Sequence, residues 1–576
     1  MILKFPLLHR RVFSVSFFLM IIPLILSGFT HIYNPVGFPY IHGDEGHYMR
    51  RAMHILAGGG PQEPDYYLYD HPSPGQVFVR YDHPYLGQLF LAGSLWLVGY
   101  PNSLHPSPDN MHSIEMLYLI PRILMGILAV GDTFLIYKIV ERRYNRNVAF
   151  VASILFAVMP LSWLIRRILL ESLQLPFLLS SILFAVYSYS LTSKKNSKEL
   201  VGEEKKGEEN GNSNSSYNRY SSNGDRIQAQ SNSNNNNEKK NIVMVLLSGI
   251  FLGLAIFTKI PAITMIPMVG FLVFTNNKRN WNTVVLWIIP VILIPLIWPA
   301  YAISVGEFHD WLSGILYQTG REGSGILSLN SIFRIDPVLV VLGMAGIVFT
   351  AIKRDFFPLL WIIPFFILLY LLGFNQHFHW VPILPIFCIA TAVLIVDLAK
   401  YIIKNTKVQQ IAVFTIACEI IIFGMVSTTM LLSTNLNLSY FEMYTFVVKR
   451  LSDYNGTENN NRVAIIGNPW IVSGFSWIPR YIFHINQDFI LFKIFNHTGT
   501  TPTTQKILLM VDKDLKDYIS ADKPNTKIKQ LQKVYDDTKP IATFKDKAIK
   551  YNRDQYPYTS IRENRGIGRI DIRANY

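Results

Sequence analysis

Apolar residues in this chain fall into long uninterrupted runs separated by short polar segments: Val12 to Phe29, Ile120 to Ile139, Val148 to Leu164, Leu173 to Leu191, Ile242 to Phe257, Ala262 to Phe274, Val284 to Ile303, Pro337 to Ile352, Phe356 to Phe374, Trp380 to Val396 and Ile411 to Leu432. A helix rises about 1.5 Å per residue, so about 20 apolar residues cross a hydrocarbon core of roughly 30 Å. The pattern predicts an all-α polytopic membrane protein with about eleven spans over residues 1–432. The first run follows Lys4, Arg10 and Arg11 as a signal peptide would, but no small-x-small cleavage site closes it, and it reads as a retained span.

The polar segments orient the spans. Arg142, Arg143 and Arg146, then Lys194 to Lys240, Lys278 with Arg279, Lys353 with Arg354, and Lys400, Lys404 and Lys407 place basic residues on alternate loops. Lys and Arg collect on the cytoplasmic side, so the N-terminus is expected in the cytoplasm of a cell-membrane protein. The first long loop, about residues 30–118, and everything after Leu432 are then extracytoplasmic. Residues 192–241 are rich in Asn, Ser, Lys and Glu and are expected to form a disordered cytoplasmic loop. From Ser433 to Tyr576 the pattern changes. Short apolar runs, Val463 to Ile466, Phe489 to Phe492 and Ile507 to Val511, alternate with helix-capable segments and predict a soluble extracytoplasmic α/β domain. Sequons at Asn437, Asn455 and Asn496 are compatible with that side.

Composition sharpens this picture in two ways. Half the residues are hydrophobic and only 16% are charged, and the net charge of +14 is accounted for by the cytoplasmic loops without invoking nucleic acid. The two cysteines, Cys388 and Cys418, both lie in apolar runs, which excludes a disulfide scaffold and a cysteine zinc site.

Chemistry concentrates in the first long loop, at His42, Asp44, Glu45, His47 and Tyr48, with Arg50 and Arg51 behind them. A carboxylate pair just beyond a span can act as a general base where partial burial raises its pKa. The alternative is a helix N-cap at Asp44 with Glu45 in the first turn. A metal held by His42, Asp44 and His47 has suitable ligand types but no matching spacing. Asp82 and His83 precede Pro84 and the short apolar segment Leu89 to Val98, which is too short to span and reads as a re-entrant or interfacial helix that places both at the membrane surface; the alternative is a plain helix start with Pro84 at its first position. Arg167 and Glu171 are four apart and pair if helical, while Arg166 is free to snorkel. Lys259 sits in a short outside turn where a lone cation suits a lipid phosphate. His377, His379 and Arg321 are weaker polar candidates in outside loops.

Four of these segments, in this order, resemble the protein O-mannosyltransferase superfamily, the GT-C membrane glycosyltransferases that use polyprenyl-phosphate sugars. Asp44 and Glu45 resemble its Asp-Glu motif, DHPYLGQ its His-Pro-Pro-Leu-Gly-Lys element, RILLES its Arg-x-Ile-Leu-Leu-Asp-Ser stretch, and GLAIFTK its Gly-Leu-Ala-x-x-x-Lys stretch. Tyr85 replaces a Pro, Gln88 a Lys and Glu171 an Asp. The segment Ser304 to Asp336 is too short for the β-trefoil of eukaryotic members, so the resemblance is to the prokaryotic or archaeal type.

The resemblance implies transfer of a sugar, mannose, from a polyprenyl (dolichyl) phosphate to an acceptor hydroxyl, protein Ser or Thr, on the outer face. It implies Asp44 as base, with Glu45 in the catalytic motif. Lys259 and Arg167 would be phosphate partners, Glu171 would orient Arg167, and Asp82, His83 and His379 would complete substrate contacts. A polyprenyl phosphate leaves without a general acid, and in-line attack inverts the anomeric carbon. The expected partners are the lipid-linked donor, a protein or envelope acceptor and membrane lipid, with no firmly implied cofactor and the need for a divalent metal open. Competing readings are transfer to a lipid or envelope glycan, an oligosaccharyltransferase, whose Trp-Trp-Asp-Tyr-Gly string is missing here, and a polytopic transporter or flippase.

Overall fold

The computed structural model describes residues 15–62, 81–188, 221–320, 325–372, 376–455, 463–485, 490–494, 506–520, 526–545 and 569–576. Its N-terminal three quarters are helical. The elements that position the site are α1 (Val15–Ile32), α2 (Gly43–Leu56), α3 (Leu86–Leu97), α4 (Met111–Arg143), α5 (Arg146–Val158), α6 (Leu170–Ser188) and α7 (Ser221–Thr258). Then follow α8 (Ile266–Asn276), α9 (Trp281–Leu293), α10 (Ile297–Ser304), α11 (Phe308–Thr319), α12 (Gly325–Ile335), α13 (Pro337–Ile352), α14 (Phe357–Leu372), α15 (Leu384–Ile402) and α16 (Thr406–Leu432).

Among the described residues six stretches are long and apolar enough to cross a membrane, and two further helix pairs qualify if each bent pair is one span. The expected spans at 148–164 and 337–352 are these bent pairs, broken by 66° before Pro160 and by 116° before Pro337. Proline lacks the N–H that an uninterrupted helix needs, which is why both breaks fall there. The expected spans at 12–29, 262–274 and 356–374 correspond to short apolar helices of 10–17 residues, so among the described residues six to eight spans, not eleven, meet the length criterion.

Two further expectations change. Residues 192–220 of the polar loop lie outside the described residues, but 221–241 are helical, because α7 continues outward from its apolar part. Adding a residue to an existing helix avoids the cost of nucleation, so weak helix formers follow. Asn437 is fully buried, donating to the carbonyls of Val36 and Pro39 at 2.6 and 2.9 Å, and is no exposed sequon. The side chains of Asn455 and Asn496 lie outside what is described.

After α16 the chain forms α17 (Leu438–Asn455) and a five-stranded sheet with α18 (Pro469–Phe475), α19 (Lys513–Ile519) and α20 (Thr526–Asp537). Its strands are β1 (Val463–Gly467), β2 (Ile490–Ile494), β3 (Lys506–Val511), β4 (Lys539–Lys545) and β5 (Arg569–Ala574), in the order β2-β1-β3-β5-β4. β1 is parallel to both β2 and β3, and β5 runs antiparallel between β3 and β4. A strand covered on both faces reads as a continuous apolar run, as Val463 to Ile466 does. Ala464 and Ile466 pack with Leu515, Leu531 and Val534 of α19 and α20. Val463 and Ile465 face the other way, into a core shared with Met49 of α2, Leu91 of α3, Leu117 of α4 and Val447 of α17. The sheet therefore shares one hydrophobic core with the first polar loop.

Candidate functional site

The site begins at the first turn of α2. The cap is His42, not Asp44: its Nδ1 accepts the Asp44 N–H at 3.3 Å, and the Glu45 carboxylate accepts the His42 N–H at 2.9 Å, closing a capping box. An imidazole can accept there only while neutral. Burial, then the Arg167 cation, hold the His42 pKa down to about 3, against the opposing pull of Glu45.

Asp44 and Glu45 lie in different surroundings. Glu45 is fully buried and bridged twice by Arg122, with Nε to Oε2 at 2.9 Å and Nη2 to Oε1 at 2.7 Å, and its Oε2 also accepts the Ile168 N–H at 3.2 Å. The remaining Arg122 nitrogen, Nη1, donates to the carbonyls of Pro35 and Pro39 at 2.7 and 2.9 Å. Burial alone would raise the Glu45 carboxyl, but Arg122 holds it below the ordinary carboxylate value. Asp44, by contrast, keeps 36% of its side chain exposed.

Asp44, His47, Tyr48 and Arg51 recur at the spacing of one helix face. That face meets the segment before α3. Asp82 forms an ion pair with Arg51 Nη1 at 2.6 Å and lies 3.2 Å from His47 Nε2, while the His83 ring lies 6.3 Å from that of Tyr48. Burial would raise the Asp82 carboxyl, but chiefly Arg51 pulls it well below its usual value. Burial depresses His83 to about 3, and Lys259 adds to this against the pull of Asp82. Pro84 lies one residue ahead of the cap position, Tyr85, so it is not the first helical residue. Tyr85 instead packs its ring on Phe257 and Tyr301 at 5.0 and 5.5 Å.

The expected helical pairing of Arg167 with Glu171 is not made. Helix α6 starts only at Leu170, and Arg167 has extended backbone (φ −85°, ψ 152°), so a separation of four does not put the two on one face. Arg167 donates from Nη1 to His377 Nε2 at 3.2 Å and lies over the rings of Tyr40 and Trp163 at 4.6 and 4.8 Å. Glu171 pairs with Lys259, with His379 Nε2 at 3.9 Å from the same oxygen, Oε1. Its other oxygen, Oε2, is buried and has no hydrogen-bond partner among the described residues. Lys259 also sits 5.8 Å from the Phe378 ring centre. Arg166 does not snorkel: it is buried and donates to the Tyr33 carbonyl at 2.5 Å.

All eight residues singled out for the site, Asp44, Glu45, Asp82, His83, Arg167, Glu171, Lys259 and His379, fall within this one cluster. Arg321 lies outside the described residues. Arg122 was missed, though an arginine inside an apolar run is costly enough to mark a site by itself. Among the described residues no group of three or more His, Cys, Asp or Glu is disposed to hold a metal ion.

No protein-family model and no curated protein sequence matches the chain. Among solved structures it is similar to the oligosaccharyltransferase AglB of Archaeoglobus fulgidus, at TM-score 0.53 and 11% identity over 88% of this chain and 70% of that one, in a form tethered to an acceptor peptide. A second AglB structure, with an inhibitory peptide and a dolichol-phosphate, aligns at TM-score 0.53 and 10% identity over the same 88% and 70%. The fold is the GT-C fold. ArnT from Cupriavidus metallidurans, bound to undecaprenyl phosphate, aligns over 98% of both chains at 12% identity and TM-score 0.48. The S. cerevisiae protein O-mannosyltransferase Pmt1-Pmt2 complex aligns over 52% of this chain and 34% of that one at 14% identity and TM-score 0.33. At such identities the GT-C fold is a shared backbone path, and the side chains of the cluster are this chain's own.

Proposed function

We propose that this protein is a membrane glycosyltransferase that moves a sugar, mannose, from a polyprenyl phosphate to a hydroxyl of an acceptor protein, Ser or Thr, on the outer face of the membrane. The observation that carries the reading is the partly exposed Asp44 at the head of α2, in one cluster with two buried cations, Lys259 and Arg167. The electrostatic reach is direct, since Asp44 and Glu171 both bear on the Tyr48 hydroxyl and on one another. AglB, which shares the fold, has been solved with a dolichol-phosphate, the same class of carrier.

In this reading Asp44 takes the proton of the acceptor hydroxyl as its oxygen attacks the anomeric carbon. The bond from that carbon to the phosphate oxygen breaks, and its electron pair leaves with the lipid phosphate. Lys259 and Arg167 stabilise the departing charge, a role worth several kcal/mol for preorganised donors in a dry site. Glu171 holds Lys259 in place, and in this reading His379 and His83 with Asp82 contact the sugar. Glu45 does not react; with Arg122 it fixes the turn that presents Asp44. Attack opposite the leaving phosphate inverts the anomeric configuration.

The test is transfer of labelled mannose from polyprenyl-phosphate-mannose to a Ser/Thr-rich peptide in membranes carrying wild type or Asp44→Asn. Transfer by wild type and none by the variant is expected. A variant as active as wild type removes Asp44 as the base, and transfer only to lipid or glycan acceptors moves the acceptor class.

A further inference from the structure

The region after Leu432 comes into close backbone contact with the first turn of α2. A Cβ built on Gly46 would lie 2.2 Å from the Ser473 carbonyl oxygen, 2.5 Å from that of Gly474 and 2.6 Å from the Gly474 Cα. These are backbone atoms of α18, which cannot swing aside as a side-chain tip can. Helix α2 and α18 thus meet backbone to backbone, two residues from Asp44, and glycine is what permits the approach. The Gly474 carbonyl is itself fixed, accepting from the hydroxyl of Tyr118 on α4 and from Trp477 Nε1 at 3.1 Å. Ahead of α2, the Ile41 N–H donates to Asn437 Oδ1 at 2.8 Å and the Leu436 N–H to the Gly37 carbonyl at 2.9 Å. The turn bearing Asp44 is therefore gripped from both sides by residues that lie beyond the last apolar helix.

We propose that the C-terminal region is a positioning element of the transfer site: α18, seated on Gly46, together with Asn437 sets the orientation of the first turn of α2 and hence the reach of Asp44. This rests on the reading of Asp44 as the base. A reacting group displaced by about 1 Å loses on the order of a hundredfold in rate, so a helix that carries the base needs such a seat. Gly46 and Gly474 are positioning residues and touch no substrate.

The experiment uses the full chain in liposomes, comparing wild type, Gly46→Ala, Gly474→Ala and the double variant Gly474→Ala/Tyr444→Phe. The second glycine offers an internal control, because a Cβ there would lie 2.7 Å from the Tyr444 hydroxyl, which the double variant removes. Donor kinetics with polyprenyl-phosphate-mannose are read beside hydrogen exchange of the α2 amides. Gly46→Ala is expected to lower kcat about a hundredfold with the donor KM changed by less than about twofold, and to lose exchange protection chiefly over the first turn of α2. Gly474→Ala is expected to lose less, and Tyr444→Phe to restore it. Unchanged kcat in Gly46→Ala, or a loss shared by KM with protection falling throughout the molecule, overturns the proposal. If wild type transfers no mannose, the functional reading fails instead, and unchanged α2 protection in Gly46→Ala still overturns the seat.

Discussion

Two buried acid-cation pairs lie side by side in this protein and are bonded in opposite ways. In the Glu45 and Arg122 pair every guanidinium nitrogen has an acceptor and both carboxylate oxygens accept twice. In the Glu171 and Lys259 pair one carboxylate oxygen is shared with the ammonium while the other, Oε2, has no partner among the described residues. Desolvating two charges repays its cost only when the remaining hydrogen bonds are made. The first pair meets that condition and acts as a clamp. The second leaves a buried carboxylate oxygen without a donor, so it has a place for a further N–H or O–H and does not lock as the first does. Residue type and burial are nearly the same in both; the unspent hydrogen bonds separate them.

Breaking the clamp has the largest expected effect. Glu45→Gln leaves the Arg122 charge buried without its counterion, and the cost of such a loss is about 3–5 kcal/mol, read as a lower unfolding midpoint in detergent. The double variant Glu45→Gln/Arg122→Met is expected to cost less than the sum of the two single changes, since it leaves no lone charge. Lys259→Gln is expected to act mainly on catalysis, lowering transfer by about 10²–10³ at matched protein levels, as loss of one preorganised donor does. A fall in stability as large as that of Glu45→Gln, with transfer per folded molecule intact, would erase the distinction between the pairs.

Acid probes the surroundings of both. His42 and His83, each held down to about 3, are neutral in the folded protein, whereas an unfolded histidine takes a proton near pH 6.5. The unfolded chain then binds more protons, so stability falls steadily as pH drops from about 6.5 towards 3. Asp82, depressed chiefly by Arg51 against its burial, adds to the loss only below its unfolded value of about 3.8. Thermal scans between pH 7 and 4 check this, and His83→Asn is expected to flatten the slope. The smallest effect belongs to the surface: Lys353, 47% exposed and 2.9 Å from Asp397, is expected to change stability by less than about 1 kcal/mol when replaced by Ala.

Much of this was legible in the sequence where one rule acts alone. Run length located the apolar helices, and β1 and β3 were readable as short, fully buried apolar strands. The members of the polar cluster stood out because charges near apolar runs are few and costly. What failed depended on contacts between distant segments. The separation of Arg167 and Glu171 suggested a helical pair, but α6 begins after Arg167, and partners 88 and 210 residues away, Lys259 and His377, took the two charges. Asp44 was a good cap by type, yet His42 took the position because burial keeps its imidazole neutral. Proline breaks turned two expected straight spans into bent pairs.

The shared core under α2 also bears on timing. The bond from Ile41 to Asn437 joins residues 396 positions apart, and that from Tyr118 to Gly474 joins residues 356 apart. At about 5–20 residues per second, a ribosome needs roughly 20–80 s to pass from one end of the longer link to the other. During that interval the apolar helices are already emerging while the helix with Asp44 waits without its seat. The contacts that hold the turn of Asp44 therefore form only after residues 436–474 have been made.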